Sequence, residues 1–196
     1  CSSLKSITFP KSLQNIQFYT IFNGCNQLQT IQFEEGSIFE NDNGLIYSNN
    51  KKILHYNLNK ETVSEYFILP TNILQIGKKL FERTEMKTIV LSNELERIED
   101  GAFQHNDIES IIIPENVKYI GKHTFEMNQH LELLIITSKE ITIDSNAFYG
   151  CDKLKTVLFV GDKIEMKDNN LQNIKTIENN QIIHSECREE CHYVID

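Results

Sequence analysis

Tryptophan is absent from the 196 residues, and proline and glycine are scarce at three and eight. Turns must therefore be made by other residues. The 20 Asn are the candidates, and together with 27 Ile they point to many short strands joined by Asn turns. No apolar run approaches the roughly 20 residues that cross a bilayer, so no membrane insertion is expected within this segment. No basic run exceeds a pair such as Lys51-Lys52, and 19 Lys and Arg against 28 Asp and Glu leave a net charge of -9. An extended phosphate backbone is thus a poor partner, which excludes nucleic acid. The chain has no Gly-rich phosphate loop, EF-hand loop, His-Glu-x-x-His motif or Gly-x-Ser-x-Gly elbow. Catalytic residues, metal ligands and cofactors are accordingly not expected, and neither is enzyme activity.

What the chain does have is a repeat. Phe81, Phe103, Phe125 and Phe148 are spaced by 22, 22 and 23 residues, and each follows an Ile by five positions: Ile76, Ile98, Ile120 and Ile143. Six residues before those Ile stand Pro70, Ser92, Pro114 and Thr137, as Pro10 stands before Ile16. A second block of apolar residue, any residue, Ser or Thr, then Ile or Val recurs at Leu4-Lys5-Ser6-Ile7, Leu28 to Ile31, Met86 to Ile89, Ile108 to Ile111, Leu154 to Val157 and Ile174 to Ile177. Leu131 to Leu134 and Tyr66 to Pro70 are variants of it. A unit of 22 to 24 residues cannot close a core alone and must stack on its neighbours. The expected fold is a β-rich solenoid of about eight rungs over residues 1–178. Strand alternation predicts that Ile111 and Ile113 point inward and Ile112 outward, with Val117, Ile120 and Phe125 returning to the core. One interval is about 14 residues too long. Its turn signals Asn43-Gly44 and Asn49-Asn50 predict a β-meander inserted at about residues 37–60.

The pattern Cys1-x2-Leu4-x2-Ile7-x-Phe9-Pro10-x2-Leu13-x2-Ile16, with Phe22-Asn23-Gly24-Cys25 and its echo Phe148-Tyr149-Gly150-Cys151, resembles the BspA-like leucine-rich repeat family. The resemblance implies a right-handed leucine-rich repeat superhelix and carries insertions of this kind. It also implies display on the cell surface or secretion, with a role in adhesion and host-protein binding. An intracellular scaffold for protein–protein interaction, in the cytoplasm, is the alternative. That alternative is favoured by the absence of any Asn-x-Ser/Thr acceptor and by cysteines that look unpaired. Cys1 falls inside a repeat junction, which predicts that the chain continues a longer one.

The outward strand residues run Thr8, Gln32, Ile68, Val90, Ile112, Ile135, Leu158 and Glu178. On the concave sheet the five aliphatic ones would form a stripe about 19 Å long at the usual strand spacing, and such a stripe marks a contact surface. Ile68, Val90, Ile112, Ile135 and Leu158, aided by Tyr47 and Tyr56 of the insertion, are the candidate residues for binding an unidentified protein partner or for self-association. β-propensity with cover from neighbouring side chains is the competing account. Beside the stripe, Ser6, Thr30, Tyr66, Thr88, Ser110, Leu133, Thr156 and Thr176 form a column whose hydroxyls would favour strand register. Cys1, Cys25 and Cys151 sit at equivalent junctions, where a small buried side chain fits. Residues 179–196 are expected to cap the stack with a helix whose stripe is Ile183, Cys187, Cys191 and Val194. A disulfide or a metal site at His184, Cys187, Cys191 and His192 is the alternative there.

Overall fold

Strands alternate between two sheets, because each rung turns twice and each turn returns an apolar alternation to the core. The computed structural model describes residues 1–59, 65–168, 171, 175–178 and 181–183. The first sheet collects β1 (Ser6–Phe9), β2 (Thr30–Phe33), β6 (Tyr66–Ile68), β8 (Thr88–Val90), β10 (Ser110–Ile113), β12 (Leu133–Ile136), β14 (Thr156–Phe159) and β16 (Lys175–Glu178). The second collects β3 (Phe39–Asp42), β4 (Leu45–Ser48), β5 (Ile53–Asn57), β7 (Gln75–Ile76), β9 (Arg97–Ile98), β11 (Tyr119–Ile120), β13 (Glu140–Ile143) and β15 (Lys163–Met166). The only described helix, α1 (Phe18–Ile21), has four residues. The result is a β-solenoid of about seven turns. Ile111, Ile113, Val117, Ile120 and Phe125 are buried, as the alternation requires.

Regular rungs are bonded on every side. Along the second sheet Glu99 N donates to Ile76 O, Gly121 N to Ile98 O and Asp144 N to Ile120 O, at 2.9–3.0 Å. On the connecting side the bonds point the other way: Phe81 N donates to Ala102 O, Phe103 N to Thr124 O and Phe125 N to Ala147 O. Behind these bonds the four phenylalanine rings stack face over face. Next to them runs a column of buried hydrogen-bonding groups. Asn106 Nδ2 donates to the carbonyls of Phe81 and Phe103, at 2.7 and 3.0 Å, and its Oδ1 accepts from Thr84 N and Met86 N. Asn128 Nδ2 donates to Phe103 O and Phe125 O, and Cys151 Sγ points at Phe125 O at 3.1 Å. Each of these groups ties a rung to the one before it and satisfies carbonyls that burial would otherwise penalise.

The meander is present. β3, β4 and β5 pair antiparallel, and β5 joins the second sheet by pairing parallel with β7. Asn43 and Gly44 both have positive φ (51° and 85°), as do Asn49, Asn50 and Lys51, which suits tight hairpin turns. The insertion keeps the second sheet continuous over eight strands and splits the first sheet between β2 and β6. It also divides the core. Ile46 packs with Phe18, Phe22, Ile31 and Phe39, whereas Tyr47 and Leu54 pack with the long cluster that continues to Leu171.

Three expectations are corrected. Cys25 and Cys151 are buried, but Cys1 is exposed because no described rung covers it. The last first-sheet strand is one residue out of the expected register: Lys175 pairs with Thr156, Thr176 with Val157 and Ile177, rather than Glu178, with Leu158. It doubles back into β17 (Gln181–Ile183), antiparallel to β16, so pairing on both edges sets its position. Ile183 therefore lies in a strand and not in a capping helix. His184, Cys187, Cys191, His192 and Val194 lie outside the described residues.

Candidate functional site

The outward stripe is in register. β6 and β8 set Ile68 beside Val90, and β10, β12 and β14 set Ile112, Ile135 and Leu158 in line. Ile68, Val90 and Ile112 are 60%, 45% and 57% exposed, values far above those of the neighbouring inward residues, while Ile135 and Leu158 are half-buried. The stripe does not rest on one ladder. β6–β8 and β10–β12–β14–β16 are separate ladders, joined near the strand starts by Asp107 N to Met86 O and Glu109 N to Lys87 O. Exposed Tyr66 and Val160 extend the apolar area at its two ends.

The corresponding outward column of the second sheet, Gln75, Arg97, Tyr119, Thr142 and Glu165, is polar and largely self-satisfied. Gln75 Nε2 and Arg97 Nε donate to Glu99 Oε1 at 2.9 and 2.5 Å. The Arg97 guanidinium lies 3.8 Å from the centre of the Tyr119 ring, a cation–π contact. Tyr119 donates to Asp144 Oδ2 at 3.0 Å, and Lys167 Nζ reaches the same oxygen at 3.2 Å. Burial, and then the bond to Asp144, push the Tyr119 hydroxyl up to about 12. Burial opposes ionisation of Asp144, but the Ser145 N–H, Lys167 and Tyr119 outweigh it and hold the carboxyl below its ordinary value. One face of the solenoid thus uses its side chains on itself, and the other leaves aliphatic groups in solvent.

Tyr47 and Tyr56 do not join the stripe, which corrects their assignment to the contact surface. Tyr47 is 5% exposed within the core, and Tyr56 packs its ring on Phe18 and Phe22, at 6.3 and 5.4 Å. Tyr47 is enclosed on β4, and Tyr56, half-buried on β5, turns its ring onto this chain's own aromatic cluster. The hydroxyl column is only partly regular: Ser6 faces Thr30, and one outward position further along Thr8 Oγ1 donates to Gln32 Oε1 at 3.3 Å. Among the described residues no three His, Cys, Asp or Glu come together as metal ligands, and no helix is long and apolar enough to cross a membrane.

The family model for the BspA type leucine rich repeat region matches the chain in six copies, over residues 1–65 and 51–178. No curated protein matches the sequence. Among solved structures, a leucine-rich repeat protein from Eubacterium ventriosum ATCC 27560 superposes with a TM-score of 0.68 at 21% identity, over 89% of this chain and 48% of its own. A leucine rich cell surface protein from Faecalibacterium prausnitzii A2-165 gives 0.64 at 17%, over 85% and 48%. The pneumococcal vaccine antigen PcpA gives 0.55 at 21%, over 89% and 51%. At these identities the likeness is one of fold, and the chain spans about half the length of each of the three.

Proposed function

Because this chain belongs to the BspA-type leucine-rich repeat family, whose model covers most of its length, we propose that it is a protein-binding module of the cell surface or secreted space that acts in adhesion. The observation that carries the reading is the contrast between the two sheets. Five aliphatic side chains, Ile68, Val90, Ile112, Ile135 and Leu158, line up on the outside of the first sheet, where alternation alone asks for polar residues. Contiguous exposed apolar area of this kind is what protein contacts use. Surface location is supported by the description of one fold neighbour as a cell surface protein and of another as a vaccine antigen.

The test is adhesion of beads coated with the chain to an epithelial cell monolayer. The double variant Ile112→Asp, Ile135→Asp is expected to lower adhesion to the level of uncoated beads with an unchanged circular-dichroism spectrum. Equal adhesion by a folded variant would remove the stripe from the proposal. A second reading, a scaffold of a reducing compartment, is favoured by the free thiols of Cys1, Cys25 and Cys151. Thiol titration of the unfolded, unreduced protein separates the two, since five free thiols would favour the scaffold.

A further inference from the structure

The stripe has a charged rim. Three positions before each of its members, at the start of each strand, stand Glu65, Lys87, Glu109, Glu132 and Lys155, all exposed. They stack as a column: Lys87 Nζ donates to Glu65 Oε1 of the preceding rung at 2.7 Å. Along the stack the signs run minus, plus, minus, minus, plus. Laid against its own reversal, this order sets Glu65 opposite Lys155 and Lys87 opposite Glu132, each twice, and leaves one like pair, Glu109 with itself. On the other side of the stripe, Pro70, Ser92, Pro114, Thr137 and Val160 carry no charge, so nothing there opposes the approach of a second sheet.

We infer that the occupant of the stripe is a second copy of this chain, packed face to face about a two-fold axis that runs along the strands at Ile112. The inference rests on the reading of the stripe as a contact surface. Such an axis keeps strand position and reverses rung order, which is what brings the charged column over its own reversal. It sets Ile68 against Leu158 and Val90 against Ile135 of the other copy, aliphatic on aliphatic. Packed sheets lie about 10 Å apart, a gap that facing Lys and Glu side chains can span at the rim. The contact is isologous and therefore closes at two copies. Its patch, about 19 Å by about 17 Å from strand spacing and rise, is small for a specific interface, so the dimer is weak and depends on concentration.

Sedimentation velocity of the purified chain, from low micromolar to near-millimolar concentration, tests the inference with Lys87→Glu and Glu132→Lys. Each variant alone opposes like charges and is expected to weaken the dimer by about tenfold or more. An equimolar mixture of the two is expected to recover it, because the introduced carboxylate at 87 then faces the introduced ammonium at 132, and the native residues at the other rim pair are likewise opposite in sign. A parent dimer without recovery in the mixture overturns the reversed geometry. A parent that stays monomeric throughout overturns the second copy, and loss of bead adhesion in the Ile112→Asp, Ile135→Asp variant then still supports the contact surface. A dimer that persists in that folded double variant overturns the second copy on the stripe, and unchanged bead adhesion is what would overturn the contact surface itself.

Discussion

Residues 1–59 and residues 65–168 pack aromatic rings in two different ways. In the later region Phe81, Phe103, Phe125 and Phe148 stack at 5.2–5.5 Å with planes within 11° of parallel. In the earlier region Phe9 meets Phe18 at 87°, and Phe18 meets Phe39 at 80°. The exception explains the rule. Phe9 and Phe33 are register partners on paired strands, and their rings do stack, at 5.7 Å and 21°. Equal intervals turn one ring position into a translation, so each ring inherits the orientation of the last. Where the meander changes the interval the rings meet at angles from the 26° of Phe18 on Tyr56 to the edge-to-face 87° of Phe9 on Phe18, and no single orientation is passed along.

The largest way to break this comparison is to remove a ring from the middle of the stack. Phe103 is fully buried between Phe81 and Phe125, so Phe103→Ala is expected to cost about 4 kcal/mol in urea unfolding. Phe148 has a described ring partner on one side only, and Phe148→Ala should cost about 1 kcal/mol less. Equal costs would mean that the stacking contributes nothing beyond burial.

A smaller effect separates the regions by pH. His55 lies on β5, its ring 5.8 Å from Phe18 and 5.6 Å from Phe39, with Nε2 2.6 Å from Ser48 Oγ. Burial pushes its pKa down to about 4, against 6.5 for the ordinary side chain. The unfolded chain therefore binds this proton more readily than the folded one. The stabilisation is complete above 6.5 and is lost as the pH falls toward 4, by up to about 3 kcal/mol. The urea midpoint should fall more steeply over this range in the parent than in His55→Asn, and identical slopes would place the acid sensitivity elsewhere.

Much of this architecture was legible because it repeats a letter. The Phe column, the Ile alternation and the Asn43-Gly44 turn each name one residue type for one physical demand, and each is found where the spacing puts it. The stripe was legible for the same reason: outward Ile112 follows from inward Ile111 and Ile113. Columns that repeat a capability rather than a letter were hidden. Asn106, Asn128 and Cys151 bond carbonyls of the preceding rung, but an amide and a thiol look unrelated in sequence, and the cysteines read as small fillers. Tyr47 and Tyr56 misled because alternation identifies opposite sides of a strand without saying that their rings pack on the chain's own core. The break between the β6–β8 and β10 ladders leaves no trace in residue types, since the outward residues on both sides of it are aliphatic.

The least visible column joins the two regions. Two residues after a core Phe, the chain takes a left-handed conformation at Gly24 (φ 74°) in the first region and at Arg83, His105, Met127 and Gly150 (58°, 55°, 59° and 72°) in the second. Glycine adopts this conformation freely, whereas an L residue bears about 1–2 kcal/mol for it. Arg83 is exposed, and its backbone bond to Gln104 O does not depend on its side chain. Arg83→Gly therefore removes that strain against an unfolded-state entropy cost of about 0.5–1 kcal/mol, and a net gain of about 0.5–1 kcal/mol in urea unfolding is expected. The reverse change discriminates the regions. A Cβ at Gly24 meets nothing within 4 Å, so Gly24→Ala should show the conformational cost alone, about 1 kcal/mol. At Gly150 the Cβ would run into Met127 Sδ of the rung before, so Gly150→Ala adds displacement of that side chain to the same cost. If both alanines cost the same, the regular stack is no tighter than the irregular region at the one junction they share.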